Sequence, residues 1–92
     1  MAGEIRTEII FTGRVQGVGF RYATRSIAGG YEVTGFVRNM PDGSVHLVAE
    51  GPQEQVGAFV SALKARMKGY IRDSRETAAP ATGSYDSFEI AF

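Results

Sequence analysis

The segment from Gly13 to Arg21, GRVQGVGFR, constrains the fold most, because it joins a run with strand periodicity to a run with helix periodicity. From Glu4 to Thr12 apolar and polar residues alternate, which is typical of a half-buried strand. From Phe20 onward apolar residues recur at helical spacing, and Gly29-Gly30 predicts the end of that helix. The glycines therefore lie where a strand turns into a helix.

This junction has the chemistry of an anion site. The first amides of a helix have no partner within the helix, and the macrodipole adds partial positive charge there. Glycines permit positive φ and let a ligand approach the backbone closely. Arg21 adds a planar fork of hydrogen-bond donors that matches phosphate oxygens. The segment therefore suits a bound phosphate group.

The remainder of the chain predicts four further strands and a hairpin turn. The run from Tyr31 to Arg38 reads as a strand, and Val45 to Glu50 pairs back with it across the turn Pro41-Asp42-Gly43. Tyr70 to Thr77 predicts a fourth strand. We expect a loop over Ala78 to Ser84 and a short terminal strand over Phe88 to Phe92.

A second helix is the most clearly marked element. Pro52 suits its first helical position, cations crowd its last turn, and Gly69 follows it. Its apolar stripe consists of Val56, Phe59, Val60, Leu63 and Met67.

The predicted order is βαββαβ with one extra strand. Two helices on one face of an antiparallel sheet of four to five strands bury both helical stripes economically, which gives a ferredoxin-like α+β sandwich. At 92 residues the chain predicts a single domain spanning 1–92.

Composition excludes several classes of function. The absence of cysteine excludes disulfides, thiol nucleophiles and thiolate metal sites, and His46, the single histidine, predicts an outward sheet residue rather than a metal ligand. Ten basic and ten acidic residues balance, so no broad positive field attracts nucleic acid. The segment Met1 to Arg6 has no long apolar run, which predicts a cytoplasmic protein without membrane association.

Two motifs resemble the signatures of the acylphosphatase family. Gly13 to Arg21 is similar to the family pattern glycine, any residue, valine-glutamine-glycine-valine, any residue, phenylalanine-arginine. Gly35 to Gly43, GFVRNMPDG, is similar to its second pattern, in which an asparagine precedes a turn that ends in glycine. Both motifs occur in the family's order, and the similarity spans nearly the whole chain.

The resemblance implies hydrolysis of the carboxyl–phosphate bond of small acyl phosphates, with no metal and no other cofactor. It implies that Arg21 and Asn39 are the catalytic residues, with Arg21 holding the phosphoryl group and Asn39 positioning the attacking water. It also assigns phosphate binding to the loop Val15, Gln16, Gly17, Val18, Gly19 and Phe20, together with Arg21.

Two alternatives of another class share this topology. An RNA-recognition module needs exposed aromatic residues on its sheet and usually a basic surface. This chain offers a single such aromatic residue, Phe36, and zero net charge, so it fits that function poorly. A non-catalytic module that binds an acyl or carbamoyl phosphate is the other.

We expect a monomer, because no apolar surface stripe is evident. Whether Tyr22 and Tyr31 border the pocket or seal the helix against the sheet stays open.

Overall fold

A computed structural model describes residues 3–92; Met1 and Ala2, which belong to the predicted domain and N-terminal segment, lie outside the described residues. The strands and helices follow the predicted order. They are β1 (Glu4–Gly13), α1 (Phe20–Ala28), β2 (Thr34–Asn39), β3 (Val45–Pro52), α2 (Gln53–Arg66), β4 (Ile71–Pro80) and β5 (Phe88–Ala91).

Both helices pack on one face of a five-stranded sheet of order β4-β1-β3-β2-β5. Alternate residues of the two central strands, including Ile9, Phe11 and Leu47, are fully buried against this layer. The predicted stripe of α2 is buried there too, and Phe59 and Leu63 are completely inaccessible. The α+β ferredoxin-like sandwich is therefore confirmed.

The fifth strand corrects the prediction of a wholly antiparallel sheet. The β1–β3, β1–β4 and β2–β3 pairings are antiparallel, whereas β5 pairs with β2 in parallel, from Gly35 opposite Phe88 to Arg38 opposite Ala91. The cause is topological, since β4 and β5 occupy opposite edges and the chain between them crosses the sheet. As a result β5 ends beside the end of β2, next to Asn39.

The connection over residues 81–87 crosses the sheet face that carries no helix. Its central anchor is Glu50, which is 2% exposed and lies at the end of the middle strand β3. The Glu50 carboxylate accepts hydrogen bonds from the amide and hydroxyl of Thr82, at 3.1 and 2.7 Å, and from the amide of Gly83 at 3.0 Å. Arg6 completes the arrangement by donating to Glu50 and to the Tyr85 hydroxyl, both at 3.3 Å.

Three predicted boundaries shift by a few residues. The first helix ends at Ala28, as predicted, but hydrogen-bonded turns continue to Tyr31, so β2 begins only at Thr34. Pro52 keeps an extended ψ of 138° because it still pairs with Glu4, and it caps α2 instead of starting it. The predicted loop from Ala78 begins after Pro80, since β1 is long enough to pair with three more residues.

No helix within residues 3–92 is long and apolar enough to cross a membrane.

The anchor at Glu50 predicts acid-sensitive stability. Burial alone would raise the pKa of Glu50, but the hydrogen bonds from Thr82, Gly83 and Arg6 outweigh it and hold the pKa below its ordinary value. A lowered folded pKa stabilises the protein above the unfolded pKa, and this contribution is lost as pH falls through the folded pKa. We expect Glu50→Gln to lower the free energy of unfolding by about 1 to 3 kcal/mol at pH 7, by urea denaturation.

Glu76→Gln is the matched control for this prediction. Glu76 meets Lys64 at 3.9 Å in an exposed pair, so its loss costs less than about 0.5 kcal/mol. We expect the difference between wild type and Glu50→Gln to shrink as pH falls through the lowered pKa of Glu50, because the carboxylate then becomes protonated. Equal stability of the two variants at pH 7 would contradict the anchoring role.

Candidate functional site

The N-terminus of α1 is built so that its backbone amides stay available. Gly17 and Gly19 have φ values of 76° and 79°. Residues other than glycine adopt such positive φ values only at a cost in conformational energy. Gly19 is the N-cap residue, and no described side chain caps the helix. The Ala23 amide donates to the Gly19 carbonyl at 2.9 Å, so the amides of Phe20, Arg21 and Tyr22 precede the first intrahelical bond.

A cavity of about 190 Å³ lies at this helix end. It joins the loop to the end of β2, which approaches from the adjacent part of the sheet. Most of the residues that the two motifs predict as a site therefore meet here. The lining consists of Val15, Gly17, Gly19, Phe20, Arg21, Tyr22 and Asn39.

Asn39 brings an unused hydrogen-bond acceptor to the cavity. Its Oδ1 is buried and receives no hydrogen bond from any residue within 3–92. An unsatisfied buried polar atom costs about 1 to 3 kcal/mol, and proteins keep such atoms mainly where a ligand or a bound water satisfies them. The strand end thus holds an unused acceptor in a residue that lines the same cavity as the helix start.

Gln16 has a role that the motif alone does not indicate. Its side-chain amide donates to the carbonyls of Met40 and Ser44, at 2.8 and 2.9 Å. These two carbonyls belong to the turn between β2 and β3, in which Asp42 accepts hydrogen bonds from the amide and hydroxyl of Ser44. Gln16 therefore ties the loop to the turn that follows Asn39, and only its backbone remains for an anion.

Phe20 and Val18 fall on different sides of the loop. Phe20 is 2% exposed and its ring lies 5.2 Å from that of Phe11, so it anchors the start of α1 in the core while its backbone borders the cavity. Val18 is half-buried and lines a neighbouring groove instead. Of the two tyrosines left open by the sequence, Tyr22 borders the cavity and Tyr31 packs against Phe59.

Phe92 was not predicted as a neighbour of the site. The guanidinium of Arg21 lies 5.1 Å from the centre of the Phe92 ring, a cation–π contact. The parallel β2–β5 pairing brings this aromatic residue to Arg21, and no local sequence pattern indicates that pairing. Phe92 therefore restrains the arginine without burying it, because the ring is itself 92% exposed.

His46 lies on the opposite, helix-free face of the sheet. Its Nε2 is 2.6 Å from the Glu8 carboxylate, and its ring meets Phe36 edge to face at 5.3 Å. Phe36 also packs against Tyr85, so this face carries few freely exposed aromatic surfaces. Within residues 3–92 no group of three or more histidines or carboxylates could hold a metal ion.

Comparison with known proteins matches this geometry to one family. The sequence profile of the acylphosphatase family matches residues 7–90. The acylphosphatase of Syntrophotalea carbinolica is 42% identical over 92 residues, covering 96% of this chain and 97% of that protein.

The chain belongs to the acylphosphatase family. By its curated relatives it is an acylphosphatase, a hydrolase.

Solved structures agree with this assignment. The Bacillus subtilis acylphosphatase superposes with a TM-score of 0.86 at 33% identity, covering 96% of this chain and 99% of that one. The chain also resembles part of a larger protein, HypF from T. kodakarensis, with a TM-score of 0.79 and 28% identity over 94% of this chain but only 12% of that one.

The Gln16 tie makes a testable prediction about this acylphosphatase. Gln16→Ala removes both bonds to the turn, so the loop loses its fixed distance from Asn39. We expect inorganic phosphate to inhibit the variant at least about tenfold more weakly, measured as the inhibition constant, because preorganised donors lose alignment.

Gln55→Ala provides the matched control. Gln55 accepts one exposed hydrogen bond from the Glu32 amide at 3.0 Å, far from the cavity, and its loss should leave phosphate inhibition unchanged. Wild-type inhibition in folded Gln16→Ala would show that the tie does not hold the loop.

Proposed function

We propose that this acylphosphatase hydrolyses small acyl phosphates at phosphorus, with Arg21 and the loop amides holding the phosphoryl group and Asn39 orienting the water. The observation that carries the proposal is that Asn39, whose buried Oδ1 has no partner within residues 3–92, lines the same cavity as the uncapped start of α1. One side of the cavity offers donors and positive charge, and the other offers an acceptor.

The donors bind the phosphoryl oxygens. Backbone amides from Val15 to Phe20 and the guanidinium of Arg21 supply charge-assisted hydrogen bonds to the negative charge spread over the phosphoryl oxygens in the transition state. The chain needs no rearrangement to offer them, because two αL glycines and the Gln16 tie already fix the loop. Fixed dipoles of this kind provide most of the stabilisation in phosphoryl transfer.

The acceptor acts on water. An amide cannot deprotonate water at neutral pH, but the Asn39 carbonyl oxygen accepts one water hydrogen bond and aims the oxygen lone pair at phosphorus. The new P–O bond forms as the bond between phosphorus and the carboxyl oxygen breaks, and the bonding pair leaves with the carboxylate. A phosphoryl oxygen takes the proton from water, so the products are a carboxylate and inorganic phosphate.

This chemistry needs no strong general acid. The leaving carboxylate is the conjugate base of a group with an ordinary pKa of about 4, so it departs without protonation. The role of the protein is positioning and charge stabilisation, worth several orders of magnitude in rate when the geometry is preorganised. A monomer acting on one small molecule, with no cofactor, is sufficient for every step proposed.

A non-catalytic phosphate-binding module is the second candidate. The part of HypF that resembles this chain is a small fraction of a larger protein, which is the observation that favours it. Such a module needs no group that orients water, whereas hydrolysis requires one. Asn39 therefore favours the catalytic proposal.

Replacement of Arg21 tests the phosphate-binding part of the proposal. We expect Arg21→Gln to fold normally and to hydrolyse benzoyl phosphate more than about a thousandfold more slowly, since it loses a fork of charged donors. Arg25→Gln is the matched control, because Arg25 lies on the same helix and reaches only Glu89, at 4.0 Å in an exposed pair. A rate for Arg21→Gln near that of Arg25→Gln would refute the assignment.

Replacement of Asn39 separates catalysis from binding. We expect Asn39→Ala to retain phosphate affinity within about threefold while kcat falls by about a hundredfold or more, since water loses its orienting acceptor. The measurements are kcat with benzoyl phosphate and the inhibition constant of inorganic phosphate. Weakened phosphate inhibition with an unchanged kcat would reverse the proposed role.

A further inference from the structure

A second cavity adjoins the cavity of about 190 Å³ at the start of α1. It has a volume of about 550 Å³ and lies between α1 and the C-terminal end of α2. Gly19 and Tyr22 line both cavities, so the second opens directly beside the loop. We call it the acyl groove; its other lining residues are Val18, Ala23, Ser26, Arg66, Met67 and Tyr70.

Two exposed aromatic side chains stand in the walls of the acyl groove. Within residues 3–92 the large hydrophobic side chains that remain exposed are Tyr22, Tyr70 and Phe92, at 65%, 39% and 92%. Two of them line the acyl groove, and the third contacts Arg21. Exposed aromatic side chains that cluster around one cavity are typical of a ligand site rather than of an ordinary protein surface.

Arg66 adds an unopposed positive charge. It is the last residue of α2, lies in the wall of the acyl groove, and makes no salt bridge with any residue within 3–92. Its neighbour on the helix, Lys64, is paired with Glu76. The groove thus has two tyrosines next to the cavity at the start of α1 and a cation in its wall.

We propose that the acyl group of the substrate lies in the acyl groove, and that Arg66 binds a second anionic group on it. The inference rests on the proposed function and adds a substrate class: acyl phosphates with an apolar body and a distal carboxylate or phosphate. Tyr22 and Tyr70 contact the body, and the guanidinium of Arg66 forms the fork that a planar anion fits.

Two probes that differ in one charge test this. Benzoyl phosphate and 4-carboxybenzoyl phosphate share the phosphoryl group and the ring, and only the second has a distal carboxylate. We expect Arg66→Gln to lower kcat/KM for 4-carboxybenzoyl phosphate by about fivefold, the upper range for a partly exposed ion pair, and to leave benzoyl phosphate unchanged. Arg75→Gln, on β4 away from the acyl groove, is the control for general attraction of anions.

The aromatic wall gives a second readout. Tyr70→Ala should raise KM for both aromatic substrates by about threefold to tenfold, and it should leave acetyl phosphate unaffected because that acyl group is too short to reach. Equal effects of Arg66→Gln and Arg75→Gln, or equal effects on both probes, would overturn the inference while the proposed function stands. A wild-type protein that hydrolyses none of the three would overturn both.

Discussion

The unpartnered amides at the start of α1 are the feature on which the site depends. A serine or aspartate at the N-cap would satisfy one of them and stabilise the helix by about 1 kcal/mol. Gly19 forgoes that cap, and its positive φ turns the loop so that the amides border an open cavity. In the proposed function this helix end binds an anion in place of a side-chain cap, and Arg21 in the first turn adds positive charge.

The sheet topology brings the other parts to this helix end. β1 ends at the loop, β2 ends at Asn39, and the parallel strand β5 ends at Ala91, just before Phe92, which lies beside Arg21. At the opposite end of the sheet, Glu50 holds the connection that makes the parallel pairing possible. A buried carboxylate remote from the cavity thus supports the path of the chain that leads back to it.

Local patterns predicted most of the fold, and long-range pairing explains the rest. The alternation of apolar and polar residues in β1 and the apolar stripe of α2 were sufficient to predict the sandwich fold, because each pattern indicates one buried face. The parallel direction of β5 depends on a crossing connection held by Glu50, whose partners are more than thirty residues away. Likewise the motifs predicted most of the residues that meet in the cavity, but not the Gln16 tie or the contact of Phe92 with Arg21, since both join segments distant in sequence.

Titration of the protein with inorganic phosphate, followed by the backbone amide resonances, tests the central claim most directly. The account predicts that the largest shifts occur at the amides of residues 15–21 and that the dissociation constant equals the inhibition constant of phosphate in acyl-phosphate hydrolysis. It also predicts that these shifts are absent in Arg21→Gln. Shifts centred on another surface, or saturation unaffected by Arg21→Gln, would contradict it.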